Sequence, residues 1–379
     1  MRKVLLIMPL STLNRGEKNA GGVDSVCQML VEYLIMRKSS DLNYRILAFD
    51  PFCAEPYLGK AVKLSEFIEV VTCPMNEKRL GVSIPGVVST QLRVREQIRD
   101  FKPDLVHAHQ ASWLLGVSSK QKRIATLHTY KKIGRKPVSF ANDFFYVRIM
   151  PRLAGIFIDS YTCVGQLLKD VVKNDTSKDI HVIGNPIDPA FFTSRPNNNE
   201  TALRMVTCAL ITRRKRIDRA ISFVSELNNL GHKASLTIIG PNSDRVYFEE
   251  LKQQIEEVGL QDNVFFAGHL SQKEIINEYQ QANLGVFFSE EETFGLVPLE
   301  MLATGLPLVS TEVGVLAEEK VFFDSIGVFF VSKNESFKNM PLALSRIGQK
   351  RTFTTKHLRE KFSVGGVVNA YEKLYAEYI

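Results

Sequence analysis

Short apolar runs alternate with amphipathic stretches along the whole chain. VLLIM near Val4, RILAF near Arg45, LVHAH at Leu105, RIATLH at Arg123 and GIFIDS at Gly155 form one set of such runs. MVTCAL at Met205, SLTIIG at Ser235, VFFAG at Val264, LGVFFS at Leu284 and LPLVST at Leu306 form a second. Most are rich in Val, Ile and Leu with little period-2 alternation, as expected of parallel strands covered on both faces. Helical spacing of apolar residues fills the gaps, in DSVCQMLVEYLIM, VREQIRDF, RAISFVSELNNL and FEELKQQIEEVG. Alternating strands and helices build right-handed βαβ units around parallel sheets. Two such sets predict an α/β chain of two doubly wound, Rossmann-like domains. Open parallel sheets take ligands beyond the C-terminal ends of their strands, so the expected site is a cleft where the domains face each other.

The length of 379 residues agrees with two or three domains. The polar stretch SRPNNNET, Ser194 to Thr201, is the linker candidate. The expected domains are therefore residues 1–192 and 193–363. A closing helix over about 364–379, containing VVNAYEKLYAEYI, is free to pack back on the first domain. Its docking face cannot be read from the pattern.

Composition narrows the class. A hydrophobic share of 45% and a charged share of 23% suit a soluble globular chain. No apolar stretch approaches the eighteen residues of a membrane-spanning helix. MRKVLLIMPL imitates a signal peptide, but its apolar run is short and no small-residue cleavage site follows, so it reads as a buried strand. The five cysteines are scattered without metal-ligand spacing and read as thiols in a reducing compartment. The expected location is the cytoplasm, with the cytoplasmic face of the inner membrane as an extension.

Charge is unevenly placed. Residues 1–190 carry 27 Lys and Arg against 18 Asp and Glu, whereas 191–379 carry 21 against 23, so the net +7 comes from the first half. A negatively charged partner for that half follows: anionic lipid, a diphosphate-linked acceptor or nucleic acid. A solvated basic surface accounts for it equally well. Nucleic acid is disfavoured, because the cations are not interleaved with stacking aromatics around any recognisable module. SFANDFFYVRIMPRL, Ser139 to Leu153, mixes aromatics and cations as a membrane-interface segment does, though a core-facing helix explains it too.

The strongest chemistry lies in LGVFFSEEETFGLVPLEMLATGLPLVST. A strand ends at Ser289, acids follow, and a helix opens near Phe294 to Val297. Pro298 is tolerated in a first turn, where no N–H partner is needed. The amides of Phe294, Gly295 and Leu296 then face outward from a helix N-terminus, a ready phosphate site beside Thr293. Glu292 and Glu300 bracket this turn. Beside a phosphate, carboxylates address hydroxyls, so a diphosphate flanked by ribose and a second polyol fits. A nucleotide sugar has that form. Dipole-stabilising, solvated acids are the plain alternative for Glu290 and Glu291; it is weaker for Glu300, inside an apolar helix.

This segment resembles the retaining glycosyltransferases of family 4, the glycosyl transferases group 1, with the GT-B fold. Their pattern SxxExFGLxxxE, followed by a small-residue helix and GxPxV, is met by Ser289, Glu292, Phe294, Gly295, Leu296, Glu300, Gly305, Pro307 and Val309. The resemblance implies that Glu292 contacts the donor sugar and Glu300 the ribose hydroxyls. It extends to VFFAGHLSQKEIINEYQQANLGVFFS, with Gly268 near the base, to LTIIGP with Gly240, and to HVIGNPIDPAFF with Asn185. In ALITRRKRIDRAI, Lys215 matches the lysine that meets the diphosphate, while Leu210 occupies the position of the usual arginine. Arg213, Arg214 or Arg216 must compensate, with Arg214 first choice. Cations there stabilise the charge developing on the departing diphosphate. Gly21 and Gly22 match the glycine pair that moves near the donor phosphate. A glycine-rich turn after a strand can cradle phosphate, but GG alone usually marks only a turn. His109 and His128 match histidines at the strand ends of the acceptor side, His109 as a catalytic candidate; His107 lies deeper on the same strand face.

The implied enzyme is a hexosyltransferase of retaining type, using a nucleotide-sugar co-substrate (UDP-linked by expectation), no cofactor and no metal. No Asp-x-Asp triplet occurs to chelate one. The expected acceptor is a glycan or lipid-linked hydroxyl in bacterial surface polysaccharide or lipopolysaccharide synthesis. A sugar-nucleotide epimerase of the same architecture and a non-catalytic two-domain sugar-binding protein remain the alternatives.

Overall fold

The computed structural model describes residues 1–15, 17, 19–52, 60–75, 78–79, 82–83, 86–115, 117–130, 149–193, 202–334, 337 and 355–379. The linker expected at 194–201 and most of the mixed aromatic and basic segment, 139–148, lie outside these residues. In chain order the elements are β1 (Arg2–Pro9), α1 (Gly22–Met36), β2 (Leu42–Asp50), β3 (Val62–Lys63), β4 (Ile68–Pro74), β5 (Lys78–Arg79), β6 (Val82–Ser83), α2 (Gly86–Phe101), β7 (Leu105–Ala108), β8 (Lys122–Leu127), α3 (Met150–Phe157), β9 (Ser160–Cys163), α4 (Gln166–Lys173) and β10 (Asp179–Val182). They continue with β11 (Leu203–Cys208), α5 (Ile217–Asn229), β12 (Ala234–Ile239), α6 (Arg245–Glu257), β13 (Val264–Gly268), α7 (Gln272–Gln281), β14 (Leu284–Phe287), α8 (Leu296–Ala303), β15 (Leu308–Thr311), α9 (Gly314–Glu318), α10 (Lys320–Ser325), β16 (Val328–Val331), α11 (Lys356–Lys361) and α12 (Val364–Tyr378). The chain divides into two compact units, Met1–Pro186 with Val364–Ile379, and Ile187–Ser363.

The first unit is built on an eight-stranded sheet of order β10-β9-β8-β7-β1-β2-β4-β3, parallel except where β3 meets β4. Strand order reverses at β1, which pairs with β2 on one side and β7 on the other. Val4, Leu5, Ile7 and Met8 on β1 and Ile46, Leu47 and Phe49 on β2 are sealed from solvent, which explains the absence of alternation. The closing helix α12 belongs to this unit. It buries Val367, Val368, Tyr371, Leu374 and Tyr375. Its Glu372 accepts from the Arg37 guanidinium at 2.5 Å and the Tyr44 hydroxyl at 2.7 Å.

The second unit has six parallel strands in the order β13-β12-β11-β14-β15-β16, with its reversal between β11 and β14. Ile221, Phe223 and Val224 of α5 pack over Leu236 and Ile238 of β12 in its core. This unit starts at Ile187, earlier than the boundary at 192–193 read from the polar stretch. The Ile187 amide donates to the Phe362 carbonyl, and the short turn Pro189–Phe191 packs on α8.

One expected strand is corrected. GIFIDS does not run as a strand: residues 155–157 end α3, and β9 starts at Ser160. Pro151 in the first turn favours the helix, and Ile156 is 69% exposed instead of lying in a sheet. Strands β3, β4, β5, β6, β10 and β16 were not among the expected runs. Among the described residues, no helix is long and apolar enough to cross a membrane.

Candidate active site

In the second unit β14 stops at Phe287, and residues 288–295 lead into α8. Hydroxyl bonds and a backbone clasp shape this loop. The Ser289 hydroxyl donates to the carbonyls of Arg214 and Glu291, and the Thr311 hydroxyl donates to the Ser289 carbonyl. The Val315 amide holds the Phe294 carbonyl at 2.8 Å. Gly295 takes φ +92°, the left-handed region that favours glycine, and so turns the chain into α8. Gly314, at φ +53°, lies so close that a Cβ would sit 2.2 Å from the Phe294 carbonyl oxygen. The amides of Phe294, Gly295, Leu296 and Val297 donate to no group among the described residues. They form the open N-terminus of α8, with Thr293 half-buried beside them.

The loop after β11 lies against this turn. The Glu290 amide donates to the Arg214 carbonyl at 2.9 Å. The Lys215 ammonium pairs with the Glu292 carboxylate at 2.5 Å, and Glu292 is only 9% exposed. Arg213 pairs with Glu250 on the surface, while Arg216 pairs with Asp218 and Glu290. Arg214 takes part in no ion pair among the described residues. Leu210, standing in the usual arginine position, is 44% exposed and cannot supply charge.

Glu300 faces inward from the second turn of α8. Burial first, and the Asp188 carboxylate second, push its carboxyl up to about 8. It accepts no hydrogen bond among the described residues. Cys208 at the end of β11 and Tyr279 of α7 are its electrostatic neighbours. Lys215, Glu292, Arg214, the free amides and Glu300 thus gather around the switch point between β11 and β14. Ligands collect at such points.

Gly268 and Gly240 sit at neighbouring strand ends, the Gly240 amide donating to the Gly268 carbonyl at 2.7 Å. A Cβ on Gly240, at φ +134°, would fall 1.9 Å from the Ala209 carbonyl oxygen. Backbone packing therefore demands this glycine whatever binds nearby. The sequence reading missed Asp188, Cys208, Tyr279 and Gly314. Asp before Pro in NPIDP signals a turn, and Asp188 does cap the Pro189–Phe191 turn through the Ala190 amide. Nothing local marks Cys208 or Tyr279.

The first unit has its own switch point, between β1 and β7. Gly21, at φ +125°, and Gly22 open α1. Asp24 accepts from the Ser11 amide at 2.8 Å, the Ser11 hydroxyl at 2.6 Å and the Ala20 amide at 2.8 Å, tying together both ends of the loop before the glycines. His109 follows β7, with Nδ1 3.0 Å from Nε2 of His128 and 3.8 Å from Sγ of Cys27. His107 is engaged in the core, bonded to the Tyr375 hydroxyl at 2.6 Å and the Thr126 hydroxyl at 2.7 Å. Burial drives all three imidazoles toward the neutral form: His107 down to about 3, His128 to about 4, and His109 well below the usual range with help from the other two. Such rings hydrogen-bond; they do not supply positive charge near neutral pH.

The profile of the Glycosyl transferases group 1 family matches residues 191–337, and that of Glycosyltransferase Family 4 matches residues 20–191. One of the subunits of the human phosphatidylinositol N-acetylglucosaminyltransferase is 29% identical over 139 residues, 37% of this chain and 28% of the human one. The alpha-monoglucosyldiacylglycerol synthase of Streptococcus pneumoniae is 23% identical over 239 residues, 57% of this chain and 53% of that enzyme. The chain thus spans about half or less of the length of these curated relatives. Among solved structures, sucrose-phosphate synthase from Thermosynechococcus elongatus superposes with a TM-score of 0.75 at 14% identity, over 100% of this chain and 99% of that one. Anabaena HepE in complex with UDP and glucose superposes with a TM-score of 0.72 at 15% identity, over 99% and 100%. At these identities the two likenesses speak for the fold.

Proposed function

The chain belongs to the glycosyl transferases group 1, in glycosyltransferase family 4, with the GT-B fold, and we propose that it moves a sugar from a UDP-sugar to an acceptor hydroxyl with retention at the anomeric carbon. One observation carries the reading: four unbonded amides, the Lys215–Glu292 pair, Arg214 and the inward-facing Glu300 surround one switch point. Amides at a helix N-terminus and two cations suit a diphosphate. The carboxylates suit the sugar on one side and ribose on the other. The uracil base is proposed because a solved structure of this fold holds UDP and glucose.

In the reaction, the bond from the sugar C1 to the diphosphate oxygen breaks, and a bond from C1 to the acceptor oxygen forms on the same face. The acceptor proton passes to an oxygen of the departing phosphate. Lys215, Arg214 and the amides of Phe294 to Leu296 stabilise the charge that gathers there, so no metal ion is needed for that purpose. Glu292 orients the sugar. In the first unit, His109 and His128 serve as neutral hydrogen-bonding groups for the acceptor, with Gly21 and Gly22 available to phosphate.

The proposed acceptor is a lipid-linked or glycan hydroxyl, as in surface polysaccharide or lipopolysaccharide synthesis, reached at an anionic membrane face. The basic first half supports this, as do the lipids in the names of two relatives. Sedimentation with phosphatidylglycerol vesicles tests the membrane part: salt-reversible pelleting supports it, and no pelleting at low salt removes it. The donor part is tested by a thermal-shift screen of UDP-, GDP- and ADP-sugars on the wild type and on Glu300→Ala. A UDP-sugar should stabilise the wild type, and the variant should lose about 1–3 kcal/mol of that binding. Equal stabilisation of both proteins contradicts the role given to Glu300.

A further inference from the structure

Tyr279 is fully buried on α7, and its hydroxyl meets no oxygen or nitrogen partner among the described residues; the Cys208 thiol beside it is a weak one. Sulfur is a weak acceptor, and the Glu300 carboxyl also lies in the field of the hydroxyl. Burying a hydroxyl without a partner is unfavourable, and phenylalanine would fill the same space without that cost. Glu300, for its part, is an acceptor without a donor. A donor with only a weak acceptor therefore shares its surroundings with a carboxyl that has no donor, at the end of the sheet where the donor substrate is proposed to sit.

We propose that Tyr279 is a positioning residue of the donor site: with donor bound, its hydroxyl donates to one oxygen of the ionised Glu300 carboxylate and leaves the other oxygen to the ribose hydroxyls. This rests on the reading of Glu300 as the ribose-binding acid. The groups facing Glu300 define its balance. Asp188 repels the anion, and Cys208 and Tyr279 are neutral. Lys215 is engaged with Glu292. Only hydrogen bonds that reward the anion can hold it there, and Tyr279 is the hydroxyl in its field that would give one once donor is bound.

The test is a double-mutant cycle on Tyr279→Phe and Glu300→Gln, read by UDP-glucose titration and by thermal melting. Tyr279→Phe should melt at or above the wild-type temperature, because it removes an unsatisfied buried hydroxyl. It should nevertheless bind UDP-glucose roughly tenfold more weakly, the cost of one hydrogen bond to a charged group. In the Glu300→Gln background the same change should cost nothing further. Wild-type affinity in Tyr279→Phe, or the same tenfold loss in the Glu300→Gln background, overturns the inference and leaves the donor reading standing. Unchanged binding by Glu300→Gln alone, or no saturable binding by the wild type, overturns the donor reading and the inference with it.

Discussion

The Lys215 ammonium donates to the Glu292 carboxylate at 2.5 Å, both largely withdrawn from solvent, so a diphosphate at α8 would compete with Glu292 for the ammonium. A cation that meets developing charge contributes mostly in the transition state. Lys215→Met should therefore lower kcat by about 10²–10³-fold, with a smaller change in donor KM, in a nucleotide-release assay. An equal rise in KM with kcat unchanged would assign the lysine to ground-state binding instead. Glu300 supplies the pH test. Its carboxyl, pushed up to about 8, is mostly protonated at neutrality, and ribose hydroxyls are best held by the anion. UDP-glucose affinity should then rise between about pH 6 and 8 and level off above, and Glu300→Gln should flatten the profile. Glu292 and Glu300 stood out in the sequence because they bracket one turn at fixed spacing, whereas Lys215 stood out only through the family resemblance of its loop. Asp188 and Tyr279 were not, since each reaches Glu300 only through tertiary packing that no local pattern encodes.

At the scale of the element, α8 depends on the clasp around its first turn. Gly314 lets α9 approach Phe294 more closely than any side chain permits. Gly314→Ala puts a methyl into the Phe294 carbonyl and strains a positive φ. The expected cost is about 1–3 kcal/mol of stability with weaker donor binding, measured by denaturant titration and UDP-glucose titration. Wild-type values for both would show that the clasp does not set the turn. The strands at the centres of both sheets could be read from sequence, because burial on both faces writes an unbroken apolar run. The edge strand β10, DIHV, could not: its residues are exposed or only half-buried, so composition gives it no signature. GIFIDS misled for the converse reason. A short apolar run does not distinguish a strand from the last turns of an amphipathic helix.

For the molecule as a whole, the two units should answer acid differently. His107, His109 and His128 are held neutral in the first unit, whereas an unfolded chain would protonate them below about 6.5. Unfolding then takes up protons, so this unit loses stability as pH falls from about 6.5 toward 4. Glu300 has the opposite sign: its raised value makes the second unit lose stability as pH rises from about 4.5 toward 8. Hydrogen exchange at pH 7 and pH 5, corrected for intrinsic rate, should show the first unit losing protection relative to the second. Equal loss in both would mean that the histidines do not govern acid stability. The division into two α/β units was readable from two sets of strands. The docking of α12 was not, because its partners, Arg37, Tyr44 and His107, lie far away in the chain.

The most direct measurement is a crystal structure with UDP-glucose bound. The diphosphate should lie within hydrogen-bond distance of the Phe294 to Val297 amides and the Lys215 ammonium, with the ribose hydroxyls on Glu300. A diphosphate found away from α8, or a ribose that does not touch Glu300, contradicts the account.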